Sequence, residues 1–104
     1  MGLLSAIFGQ KDNANLIEAI QQGAILIDVR SAHEFSSGSV NGAINIPVEK
    51  ITAQLNTLNN NTRIIVFCQS GVRSKLAQSL LEKNGFKNVL NGGSWQNVKK
   101  LTHE

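Results

Sequence analysis

The stretch Arg63-Ile64-Ile65-Val66-Phe67-Cys68-Gln69-Ser70-Gly71-Val72-Arg73-Ser74 decides the fold. Residues 63–67 form a short, almost wholly apolar run rich in β-branched side chains, which predicts a strand buried on both faces. From Ser74 to Asn84, Leu76, Ala77, Leu80 and Leu81 recur on one helical face, and Gly85 supplies a stop. A buried strand, a short loop holding a cysteine and a glycine, and an amphipathic helix therefore follow one another directly.

Working outward, the same alternation repeats. Ala24–Ile27 reads as a second buried strand, preceded by a helix stripe of Leu16, Ile17 and Ile20 with Asp12 or Asn13 as cap and Gly23 as stop. Ser31 and Glu34 have the spacing of a capping box, so a short helix should begin there and fade near Ser36-Ser37-Gly38. Ala43–Ile46 is a strand stopped by Pro47, which has no N–H for a ladder. Ile51, Leu55 and Leu58 recur at helical spacing, Phe86–Leu90 predicts a last strand, and a terminal helix should follow Gly92-Gly93. Leu3, Leu4, Ile7 and Phe8 predict an amphipathic helix within residues 2–10, packed on the body of the domain. Apolar strands alternating with amphipathic helices imply an α/β domain, a central parallel sheet covered on both faces. Its functional crevice should lie beyond the carboxyl ends of the strands.

Composition narrows the function. At 104 residues the chain is expected to be one domain. A formal charge of +3 is too small and too scattered for a nucleic-acid surface, and no run is long enough to span a bilayer. The single cysteine rules out an internal disulfide and suits a reducing compartment. Because the first residues lack the pattern of a secretory signal, a cytoplasmic, monomeric protein is the expectation. His33 and His103 have no second ligand type at metal spacing, so neither a metal nor a cofactor is expected.

The chemistry concentrates at Cys68. A helix start leaves its first N–H groups unpaired and carries partial positive charge, and a loop curling into it can aim several amides at one point. Gly71 gives that loop conformational freedom, and such a site raises the thiolate fraction of a cysteine. Arg73 would supply a fixed charge for an anionic substrate. Gln69, Ser70 and Val72 would tune access, while the amides from Gln69 to Ser74 would hold negative charge.

Cys68-Gln69-Ser70-Gly71-Val72-Arg73-Ser74 resembles the Cys-x-x-Gly-x-Arg-Ser/Thr active-site loop of single-domain rhodaneses. Leu26-Ile27-Asp28-Val29-Arg30 with Glu34-Phe35, and the run Gly38–Pro47, resemble two further segments of that family. Gly92-Gly93 before Trp95 is similar to its Gly-Gly-aromatic signature, and the resemblance covers residues 12–100 in order. It implies a three-layer rhodanese-like fold with four or five parallel strands. It also implies a sulfurtransferase in which Cys68 attacks thiosulfate, releases sulfite and passes its persulfide sulfur to cyanide or a thiol. A protein-loaded sulfur carrier needs the same cradle. Phosphatases of this fold resemble Cys-x5-Arg, whereas four residues separate Cys68 from Arg73 here, a narrower loop suited to sulfur.

Three positions qualify this reading. Ser39 replaces the family's usual His, leaving open how the neighbouring loops are steadied. Asp28 should accept hydrogen bonds from loop amides at the same sheet edge as Cys68. Arg30 would either assist anion binding or pair with Glu34.

Overall fold

The computed structural model describes residues 10–103, so the helix expected within residues 2–10 falls almost wholly outside the described residues. Four parallel strands, β1 (Ile25–Asp28), β2 (Ile44–Asn45), β3 (Ile64–Cys68) and β4 (Val89–Ser94), pair in the order β2-β1-β3-β4. The helices are α1 (Gln10–Gln21), α2 (Ala32–Ser36), α3 (Val72–Lys83) and α4 (Trp95–Leu101).

The central strand explains the layering. Every residue of β3 is buried, and side chains alternate between two cores because successive strand residues point to opposite faces. Ile64, Val66 and Cys68 join Ala77 and Leu81 of α3, together with Ile51. Ile65 and Phe67 join Leu16 and Ala19 of α1 and Val98 of α4. Each fully buried aliphatic side chain here contributes about 1.5–3 kcal/mol relative to exposure. Cys68 thus ends the strand on the α3 face.

Ser31 and Glu34 close both halves of the capping box at the start of α2. Elsewhere the boundaries differ from the sequence expectation for local reasons. Instead of one α-helix through Ile51, Leu55 and Leu58, the chain forms two 3₁₀ turns, Val48–Lys50 and Thr52–Thr57, with Ile51 between them, Leu55 inside the second and Leu58 extended just after it; Gln54 leaves helical geometry (φ −114°, ψ 16°). Phe86 belongs to the close of α3, its N–H bonded to the Leu81 carbonyl, and β4 begins only at Val89.

That last strand then runs through Gly92 and Gly93. Val66 pairs with Asn91 and Phe67 with Gly93, so Gly92 is the extra residue of a bulge. A Cβ on Gly92 would stand 2.6 Å from Val98 Cγ2 and 3.0 Å from Ile65 Cγ2. Close backbone approach requires glycine there. The bulge sets Ser94 opposite Cys68 and turns the chain into α4, capped by the Ser94 hydroxyl accepting from Asn97 N–H.

Candidate active site

Cys68 is the last residue of the central strand, and α3 begins four residues later. Gly71, with φ +98°, occupies the cap position of that helix in the left-handed region, which lets the loop fold back over the sulfur. Gly71 N–H donates to Sγ at 3.0 Å and Ser74 N–H at 3.4 Å, while Ser74 Oγ lies 3.4 Å away. The residue is 1% exposed, yet its sulfur meets a ring of donors rather than a wholly apolar wall. Burial pushes the thiol up, but the Ser74 hydroxyl and the amides of Ser74, Ser70 and Gly71 together outweigh it. The net shift is downward from the ordinary cysteine value.

Arg73 is placed at the rim and is already engaged. Its two terminal nitrogens donate to Glu34 Oε1 and Oε2 at 2.7 and 3.1 Å, a two-pronged pair about one third exposed. The hydrogen bond from Arg73 holds the Glu34 carboxyl down to about 2, with Ser31 N–H adding to it. The charge of Cys68 also favours the protonated guanidinium, so the two groups feel one another. Val72 is 75% exposed beside the loop, and Gln69 and Ser70 are exposed as well. Gln69 Oε1 accepts from Trp95 Nε1 at 3.3 Å.

The expected pairing of Arg30 with Glu34 requires correction. Its guanidinium is buried and bound to Asp28, with Nη2 2.7 Å from Oδ2, and it also donates to the Gly38 carbonyl. It does not pair with Glu34, which Arg73 occupies. Asp28 pairs in register with Phe67, so its side chain leaves the sheet on the α1/α4 face, opposite Cys68. There Asp28 accepts from Arg30 N–H at 3.0 Å and from Ser39 Oγ at 2.7 Å, and Arg30 lies over the Trp95 ring at 5.0 Å. Ser39 therefore does steady the loop after β1. Asn45 adds two ties, donating to the carbonyls of Asp28 and Arg30.

One residue went unremarked in the sequence. Asn91, in β4, accepts from Ser74 Oγ at 2.7 Å and from Gly93 N–H at 2.9 Å, and donates to the Gly71 carbonyl at 3.2 Å. A polar side chain just before the double glycine at a strand's carboxyl end was the available signal. Among the described residues, no group of His, Cys, Asp and Glu could hold a metal.

A thiol held by loop amides thus lies at the carboxyl edge of a parallel α/β sheet. The chain belongs to the rhodanese-like domain family, whose pattern it matches over residues 12–100. It is similar to the human single-domain sulfurtransferase TSTD1, with a TM-score of 0.69 and 27% identity, covering 88% of this chain and 93% of that one. It is also similar to an E. coli rhodanese solved with anions, with a TM-score of 0.68 and 28% identity over 72% and 91% of the two chains. Among curated proteins it is 36% identical over 66 residues to YrkF of Bacillus subtilis, a candidate sulfur carrier protein, covering 64% of this chain and 36% of that protein. It is 38% identical over 68 residues to Bacillus subtilis YqhL, covering 65% and 54%. The chain thus spans between about a third and about half the length of these curated relatives.

Proposed function

We propose that the protein moves sulfane sulfur from thiosulfate, or a related donor, to a thiol or cyanide through a persulfide on Cys68. The observation that carries this reading is the convergence of the Gly71 and Ser74 amides on Sγ. The thiolate attacks the outer sulfur of thiosulfate, an S–S bond forms to Cys68, and the donor's own S–S bond breaks to release sulfite. The negative charge then rests on the terminal persulfide sulfur, where the loop amides stabilise it. An acceptor thiolate or cyanide takes that sulfur and restores the Cys68 thiolate.

A second reading has its own support. Arg73 is committed to Glu34, which lessens its pull on a small free anion, and the likeness to YrkF extends to a candidate sulfur carrier. In that reading a protein partner loads Cys68 and another unloads it, without rapid turnover of free thiosulfate. Either role fits a monomer acting in a reducing cytoplasm, without nucleic acid or membrane. Among the described residues no helix is long and apolar enough to cross a membrane, and the lone thiol needs to stay reduced.

Incubation with thiosulfate, followed by intact mass and a thiocyanate assay, tests both. Rapid thiocyanate formation supports the enzyme, and a mass gain of one sulfur without turnover supports the carrier. If neither wild type nor Cys68→Ser gains sulfur, both readings fail.

A further inference from the structure

Ser74 has one hydroxyl proton and two acceptors. Its Oγ stands 2.7 Å from Asn91 Oδ1 and 3.4 Å from Cys68 Sγ. The Asn91 amide cannot turn over to avoid the competition. Gly93 N–H requires the oxygen where it is, and the Gly71 carbonyl requires the nitrogen. When Cys68 is a thiol, its S–H donates to Ser74 Oγ and the Ser74 proton goes to Asn91. When Cys68 is a thiolate, the hydroxyl serves the sulfur only by rotating away from Asn91, whose Oδ1 then keeps Gly93 N–H alone.

We infer that Asn91 is a positioning residue that competes with Cys68 for the Ser74 hydroxyl proton and thereby restrains ionisation of the thiol. This rests on the reading that Cys68 reacts as a thiolate. The competition favours the neutral thiol by about one hydrogen bond, because ionisation exchanges a short O–H···O bond for a longer one to sulfur. A purely structural Asn91 would act the other way. By holding Gly71 and Ser74 it would support the cradle, and its loss would weaken the thiolate.

The surrounding charges do not obscure the comparison. Asp28 and Arg30 are paired with each other after β1, and Glu34 of α2 is paired with Arg73 of α3. Lys75 of α3 and Asp12 of α1 line a cleft that also reaches Asn91, and Lys99 of α4 lies over the Trp95 ring. Substituting Asn91 by a neutral residue alters none of them.

The test is the pH profile of Cys68 alkylation by iodoacetamide, which reads the thiol whether or not sulfur is transferred. Loss of sulfur transfer with the expected profiles would overturn the function and leave this inference standing. Asn91→Ala should ionise at lower pH than wild type and alkylate about two- to tenfold faster near pH 6, one hydrogen bond's worth. Ser74→Ala should shift the profile upward. The double variant should match Ser74→Ala, since the effect of Asn91 passes through that hydroxyl. Asn91→Asp, which keeps the acceptor and adds charge, should also shift upward, and it stands in if the alanine variant does not fold. An upward shift for Asn91→Ala, an additive double variant, or an unmoved Asn91→Asp would overturn the inference.

Discussion

Arg73 and Glu34, 39 residues apart, meet in a two-pronged ion pair at 2.7 and 3.1 Å over the rim of the Cys68 loop. The pair joins the start of α3 to α2 and holds a positive charge that the thiol feels. Arg73→Ala should lower kcat/KM for thiosulfate by about tenfold, the worth of a charge-assisted hydrogen bond to an anion. Its thermal midpoint should stay close to wild type, because partly exposed pairs contribute at most about 1 kcal/mol. Thiocyanate kinetics and a melting curve check both halves, and unchanged kinetics would remove Arg73 from the substrate site.

The same pair sets a pH dependence. The Glu34 carboxyl is depressed from 4.5 to about 2 in the folded chain, chiefly by the Arg73 hydrogen bond. A group with a lowered folded pKa stabilises above its unfolded value, and that contribution is lost as pH falls through the folded one. Wild type should therefore melt slightly above Glu34→Gln at neutral pH, and the gap should close between about pH 4.5 and 2. High salt should shrink it. Melting curves of both proteins across that range measure it, and a gap that widened in acid would contradict the assignment.

Asp28 and Arg30 form a different kind of pair, with both side chains buried. Asp28→Ala strands a buried guanidinium and removes the acceptor for Ser39 Oγ. Urea unfolding should show a loss of about 3–5 kcal/mol. A loss below about 1 kcal/mol would mean that the pair is not structural.

Gly92→Ala should destabilise by about 1–3 kcal/mol, as overpacking does, because the new methyl must displace Val98 and Ile65. Adding Val98→Ala should recover part of that loss if the clash is the cause. Two independent, additive losses in urea unfolding would point elsewhere.

The sequence announced those features whose physics is local. Three apolar runs marked β1, β2 and β3, the run Phe86–Leu90 marked β4 only at its start, Ser31 and Glu34 gave a capping box, and the glycine before α3 marked the turn over Cys68. Partners chosen by tertiary approach were hidden. Glu34 was legible as a cap, yet the same carboxylate also takes Arg73, because capping uses only part of its acceptor capacity. Arg30 turned to Asp28, two residues away, once burial forced that carboxylate to find a cation. Asn91 reached the site because the β3–β4 register pairs it with Val66, on the face shared by Cys68 and α3, beside Ser74. No period or motif encodes that meeting.

Because the chain holds one cysteine, thiolate ultraviolet absorbance in wild type minus Cys68→Ser titrates this sulfur alone. Its midpoint should lie below the value of about 8.5 for a free cysteine. A midpoint at or above that value would mean that burial defeats the loop amides, and the proposed persulfide chemistry would lose its nucleophile.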